Sequence, residues 1–396
     1  MAASSDSRTY DVVLLGATGF TGGLTAEYLA AHAPEGTRWA IAGRSKEKLE
    51  KVREGLGAGG EDVDLIVVDS ADEGSLRDMA AQTKVVATTV GPYLEYGGPL
   101  VAACAQEGTD YVDLTGEPEF VDRMYVKHQA TAEKTGARIV HACGFDSIPH
   151  DLGAYFTIQE LAKEAGGEVT EPVTMRGVVR SNGTFSGGTF HSALNAFARA
   201  KQMRDASQAR KRVEPRPEGR KSRAVAGKPG RDKALGYWLV PLPTIDPFMV
   251  ARSGNALASY GPDFRYSHFA GTKTLRYAGG GMAGAAAIAL AAQVSPVRNG
   301  LKKRVPQGSG PSKSRRDASW FSVEFVGESG GTTVRTKVSG GDPGYTETAK
   351  MLAESALCLA LDDNPPTAGQ VTTATAMGDA LLARLQAAGI TFERVS

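Results

Sequence analysis

Residues 10–22 read YDVVLLGATGFTG, an apolar run that stops at Gly16 and opens a turn with further glycines at 19 and 22. A short apolar run closed by glycine is a buried parallel strand. The segment after it, GLTAEYLAAHA at 23–33, carries apolar residues at helical spacing. Strand, glycine turn and helix together open a Rossmann βαβ unit. Apolar runs at 39–43, 64–69, 84–90, 111–114 and 137–142 predict five more strands, with helices expected at 45–56, 73–82, 99–107 and 119–135. Strands alternating with helices give an α/β fold, a doubly wound parallel sheet over residues 1–150.

The turn carries the first chemistry. Its glycines let the chain bend sharply and let phosphates approach the backbone, while the following helix offers free N–H groups and its positive dipole end. Gly16, Thr18, Gly19, Phe20, Thr21 and Gly22 are therefore expected to cradle a dinucleotide pyrophosphate. The end of the second strand selects the nucleotide. An NAD site places Asp or Glu there for the ribose 2′-hydroxyl. This chain has Ala42-Gly43-Arg44-Ser45, with no carboxylate before Glu47. Arg44 is suited to a 2′-phosphate, Ser45 can donate to it and Lys48 adds charge, so NADPH is the expected cofactor in preference to NADH. Asp69 and Ser70 follow the third strand, where adenine rests, and Thr89, Gly91 and Pro92 follow the fourth. Tyr93 then lies by the nicotinamide, as a wall or as a proton donor. The loop after the sixth strand, Gly144–Asp151, holds Asp146, Ser147 and His150. His150 has the chemistry of a proton donor and Asp146 that of a substrate contact, while Ser147 and Asp151 also fit capping roles.

After residue 150 the alternation breaks. Residues 151–345 read as an α+β substrate and dimerisation domain with a mixed or antiparallel sheet, including a hairpin of 320–326 with 332–339. Ser186, Gly187, Gly188 and Thr189 open a helix and either cap it or bind a substrate carbonyl; His191 just beyond is a further proton-donor candidate. Residues 199–233 are strongly basic, read as a solvated, mobile insertion or a dock for an acidic carrier protein or an anionic membrane surface. Residues 278–294, AGGGMAGAAAIALAAQV, hold too little Leu, Ile and Phe to make a transmembrane segment. They read as a closely packed buried helix, or as an interface or acyl-chain wall. Residues 346–396 are C-terminal helices expected to pack back on the first domain.

The whole chain has 396 residues, 41% hydrophobic and 22% charged, with a net charge of +1, so it is expected to be a two-domain soluble protein without a nucleic-acid partner. Cys104, Cys143 and Cys358 lack metal-ligand spacing and read as reduced thiols of a cytoplasmic protein; no metal is expected. The start, MAASSDSRTY, lacks the apolar run of a signal peptide. No tyrosine is followed four residues later by lysine, which removes the usual short-chain reductase pair, and HExxH and GxxxxGK[ST] are absent.

Several stretches together carry a resemblance: GATGFTG at 16–22, AGRS at 42–45, VGPY at 90–93, YVDLTGE at 111–117 and CGFDSIPHDLG at 143–153. SGGT at 186–189, PGYTETAKM at 343–351 and ATAMGDALLARLQAAGITFE from 374 extend it over nearly the whole chain. The sequence resembles the saccharopine dehydrogenase-like oxidoreductases, and more closely their trans-acting enoyl reductase branch. The resemblance implies a Rossmann domain plus a substrate domain, and NADPH-dependent reduction of a carbon–carbon double bond in an acyl or polyketide thioester held on a carrier. Tyr93, His150 and the 186–189 amides are the expected enolate donors. Two rivals remain at this level: a saccharopine-type amino-acid or imine dehydrogenase using Arg176 and Arg180, and a non-catalytic nucleotide-binding protein of lipid surfaces.

Overall fold

The structure, a computed structural model, describes residues 8–183, 187–304 and 310–396. In the N-terminal half β1 (Tyr10–Leu15), α1 (Phe20–His32), β2 (Trp39–Gly43), α2 (Lys46–Gly55), β3 (Asp64–Val67), α3 (Glu73–Ala81) and β4 (Thr83–Thr88) alternate. They are followed by α4 (Tyr93–Glu107), β5 (Asp110–Asp113), α5 (Pro118–Thr135), β6 (Arg138–Val140) and the exit helix α6 (Ile148–Glu164). The middle of the chain runs β7 (Val173–Ser181), α7 (Gly187–Ala198), α8 (Ala200–Val213), β8 (Lys221–Ala224), β9 (Gly230–Arg231), β10 (Trp238–Pro241) and α9 (Asp246–Ala256). Next come β11 (Asp263–Thr272), α10 (Leu275–Gln293), α11 (Ser295–Arg304), α12 (Lys313–Asp317) and the hairpin of β12 (Phe321–Ser329) and β13 (Thr332–Gly340). The chain closes with α13 (Thr346–Leu361), β14 (Gly369–Val371), α14 (Thr373–Ala376), α15 (Gly378–Ala387) and β15 (Thr391–Arg394).

The first sheet has the order β14-β6-β5-β4-β1-β2-β3, with every pair parallel. Val12, Val13 and Leu14 of β1 are fully buried, as a central strand covered on both faces must be. Strand order reverses between β1 and β4, and the carboxyl ends there open the crevice in which such sheets bind ligands. The second sheet runs β15-β13-β12-β7-β11-β10-β9, with β8 also on β11. It is mixed: β7 and β8 lie parallel to β11, and the remaining pairs are antiparallel. Helix α6 packs on β12 and β13, where a Cβ on Gly153 would fall 2.4 Å from the Phe325 ring. One apolar core therefore runs from Val12 and Leu14 through Leu152 and Ile158 to Phe325 and Val338. Beyond residue 345, α13 packs on α1 and β14 adds a parallel strand beside β6.

Three expectations need correction. Residues 278–294 are not a buried helix: along α10 only Ala278 and Ala292 are buried, and Tyr277 and Leu290 are each 72% exposed. Gly and Ala offer too little side chain to bury, and α10 is held along one edge by α7. The basic stretch 199–233 is not a loose insertion, because α8 packs on α5 through the buried pair of Arg210 with Asp122, 2.5 Å apart. The helix expected to start at Pro99 starts at Tyr93 with Pro99 inside it; the Glu117 carboxylate accepts from the backbone N–H of Tyr93 (3.2 Å) and Leu94 (3.0 Å) and so caps it.

Candidate active site

The glycine turn is built around one close approach. Gly16 has φ +99°, and a Cβ on Gly22 would fall 2.1 Å from the Gly16 carbonyl oxygen, so both positions require glycine. Thr89 Oγ1 donates to that carbonyl at 3.2 Å and ties the turn to the end of β4. The N-cap of α1 is Gly19, which has no side chain to spend on the first-turn N–H groups, and no acidic residue stands in that turn. The helix end is thus an open anion cradle. At the end of β2, Arg44 is exposed and has no carboxylate partner among the described residues. Glu47 is turned to Lys51 at 2.7 Å. Ser45 Oγ accepts from the Lys48 N–H at 3.4 Å and caps α2, with Lys48 exposed above it. Asp69 Oδ1 accepts from the Ala71 N–H at 3.0 Å, which shapes the turn after β3, and Ser70 stands half-buried beside it. An open cradle with an unpaired arginine beyond it fits a dinucleotide carrying a 2′-phosphate.

Between this turn and the second sheet lies a cleft of about 670 Å³. Phe20, Thr21, Gly22, Thr89, Gly91 and Pro92 line one side, and Ala270, Gly271 and Thr272 of β11 the other. Four titratable groups converge in it. His150 Nδ1, from the first turn of α6, sits 2.8 Å from Asp246 Oδ1 at the first residue of α9. The approach is off the axis of the ring N–H, so the contact is chiefly coulombic, and His150 Nε2 is buried without a hydrogen-bond partner among the described residues. His268 of β11 stands behind, its ring 4.6 Å from that of His150 and its Nε2 3.9 Å from Asp246 Oδ2. Burial, reinforced by His150, pushes His268 down to about 3, so it is neutral. Burial alone would raise Asp246; the neighbouring His150, aided by His268, instead holds its carboxyl below the usual range. Asp146 faces the same space. Burial and the charge of Asp246 push its carboxyl up to about 7, and no described donor reaches it.

The remaining sequence candidates divide. Tyr93 lines the cleft, yet its hydroxyl donates to the Thr88 carbonyl and accepts from the Leu114 N–H, each at 3.1 Å. Burial, then Asp113, raises that phenol well above its ordinary range. It bolts β4 to β5 and has no proton to spare. His191 lies on α7 but not on the described cleft wall, where its neighbour Ser192 stands. Ser186 lies outside the described residues; Gly187, Gly188 and Thr189 form the first turn of α7. Asp151 is fully buried and accepts from Ser253 Oγ, Thr373 Oγ1 and the Ala374 N–H, locking α6 to α9 and α14. Sequence reasoning missed Asp246, His268 and Glu117. The signal for His268 was present: Phe264, Tyr266, His268 and Ala270 share one face of a strand, and an imidazole in an apolar row wants a partner. Asp246 before Pro247 looks like an ordinary helix start.

A dinucleotide cradle at the switch point, facing titratable groups across an apolar cleft, defines a nicotinamide-dependent oxidoreductase. Residues 12–140 match the saccharopine dehydrogenase NADP binding domain. Over 98% of its length the chain is 38% identical to the trans-acting enoyl reductase of Mycobacterium bovis, and 36% identical to that of Mycobacterium ulcerans, covering 98% of each. A Mycobacterium tuberculosis protein provisionally given the same name is 40% identical over 98% of this chain and 97% of its own. The chain belongs to the trans-acting enoyl reductase family and is an NADPH-dependent oxidoreductase. Its fold is that of apo saccharopine dehydrogenase (L-Glu forming) from Saccharomyces cerevisiae, with a TM-score of 0.55 at 14% identity over 97% of this chain and 99% of that one.

Proposed function

We propose that the protein reduces the carbon–carbon double bond of an α,β-unsaturated acyl or polyketide thioester, presented on a carrier protein, with His150 as the proton donor. The observation that carries this reading is His150 Nε2, buried, unpartnered and on the wall of the cleft that the glycine turn also lines. NADPH, held at Gly16–Gly22 and Arg44, supplies a hydride. Addition of hydride to the β-carbon leaves negative charge on the thioester oxygen and calls for a proton at the α-carbon. Asp246, 2.8 Å from His150 Nδ1, holds the ring with Nε2 toward the cleft, and the proton that His150 gives is replaced from solvent. Asp146, with its carboxyl near neutrality, is a hydrogen-bond donor to the developing oxyanion. His268, neutral, orients Asp246. The remaining walls, Phe20, Leu114, Phe145, Val179, Leu242 and Pro343, suit an acyl chain.

A saccharopine-type substrate needs fixed cations for its carboxylates. Arg176 is spent on Asp232 at 2.6 Å and Glu328 at 3.0 Å, and Arg180, which does border the cleft, donates to Tyr237 Oη at 2.8 Å. The enoyl reading is therefore preferred. His150→Asn should lower kcat with an enoyl thioester by ~100-fold or more while the Kd for NADPH holds. Turnover retained in that variant removes His150 from the chemistry, and turnover only with an oxo acid and an amine removes the enoyl substrate.

A further inference from the structure

We infer that α10 and α11 dock the protein on an anionic lipid surface, beside the mouth of the cleft. Among exposed large apolar side chains, Leu275, Tyr277, Met282, Leu290 and Val297 fall on this one pair of helices and Val294 on the bend between them. A Cβ built on Gly279, Gly280, Gly281 or Gly284 meets nothing within 4 Å, so no described residue covers that stretch of α10. A contiguous apolar patch on the outside of a folded chain marks a contact surface. Among the described residues no single helix is long and apolar enough to cross a membrane; α10 and α11 reach that length and hydropathy only together, bent by 118°. Such a bent pair lies along an interface instead of running through it.

Charge chooses the occupant. Residues 264–316 contain ten Lys and Arg and no Asp or Glu. Lys273 and Arg276 flank the start of α10, and Lys303 and Arg304 end α11; all four are exposed and have no carboxylate partner among the described residues. Two copies meeting through this face would bring cations against cations with no acid to offset them. A bilayer bearing anionic headgroups satisfies both the apolar side chains and the basic flanks. The placement also connects to the cleft. Ala270, Gly271 and Thr272, on its wall, run directly into α10, and α7, which supplies Ser192, packs along α10. An acyl chain resting in the bilayer surface would lie at the door of the cleft.

Vesicle flotation tests this without substrate, so its outcome stands apart from that of the proposed reduction. The full-length protein should float with phosphatidylcholine vesicles containing phosphatidylglycerol, and raised salt should weaken that binding. K303Q/R304Q should lower the affinity by about thirtyfold, at the usual contribution of basic residues near such a surface. L275E/L290E should abolish flotation, with NADPH affinity unchanged as the check on folding. Absence of phosphatidylglycerol-dependent flotation would overturn the inference. So would a dimer in light scattering that L290E splits into monomers, since it would show the face to be a contact between copies.

Discussion

Arg44 is exposed at the end of β2 with no carboxylate partner among the described residues, and the 2′-phosphate is the counter-charge proposed for it. Arg44→Ala should weaken NADPH binding by ~10- to 100-fold, the range of a charged hydrogen bond, and leave NADH binding nearly unchanged; fluorescence titration reads both. His150 and Tyr93 looked equivalent as donors in the sequence, and their neighbours separate them. Tyr93→Phe should cost ~1–2 kcal/mol of stability, for two lost hydrogen bonds, and change kcat much less than His150→Asn does. Asp146 gives a pH signature. Its folded carboxyl titrates at about 7, above the ordinary 3.8, so it favours the folded state while protonated and that contribution fades as pH rises between the two values. Asp146→Asn should therefore raise the free energy of unfolding above pH of about 7 by roughly 2 kcal/mol, after allowing for its partial exposure, and make little difference below pH of about 4, as denaturation at the two pH values reads. A variant less stable than wild type in alkaline buffer would contradict this placement.

At the scale of elements, six of the seven strands of the first sheet were legible, because buried parallel strands are short unbroken apolar runs bounded by glycine or turn residues; the three-residue β14 was not, and lies where only helices were expected. The β12–β13 hairpin was legible too, from alternation on either side of Gly330 and Gly331, whose φ values of +56° and +83° need glycine. The start of α4 was not. Its cap is Glu117, contributed from 23 and 24 residues away, and local pattern cannot report a distant carboxylate. Removing that carboxylate in Glu117→Ala should cost ~1–2 kcal/mol in chemical denaturation, the usual worth of a helix cap. An unchanged midpoint would return the start of α4 to intrinsic preference. Helix α10 was misread for the opposite reason. Its composition matches a closely packed helix, but composition does not say whether a neighbour is there. The site divides along the same line. Its proposed cofactor half, from Gly16 to Arg44, is contiguous in the chain, so local pattern could point to it, whereas the His150, Asp246 and His268 cluster is assembled from α6, α9 and β11 by the tertiary fold.

For the whole molecule, the core passes without interruption from the Rossmann sheet through α6 to the second sheet. The dinucleotide turn and the titratable cluster are therefore fixed relative to one another, which is what hydride and proton delivery to adjacent carbons requires. The second sheet supplies His268 and, through the turn into α9, Asp246, so the first domain alone holds an incomplete set of groups. The central claim is that this arrangement adds hydride to the β-carbon of an unsaturated thioester. The direct measurement uses NADPH deuterated at the nicotinamide C4, on either face, with an α,β-unsaturated acyl thioester and mass spectrometry of the product. The account predicts a saturated thioester with one deuterium on the β-carbon. An unreduced thioester, or deuterium delivered only to an oxo or imine carbon of a competing substrate, would contradict it.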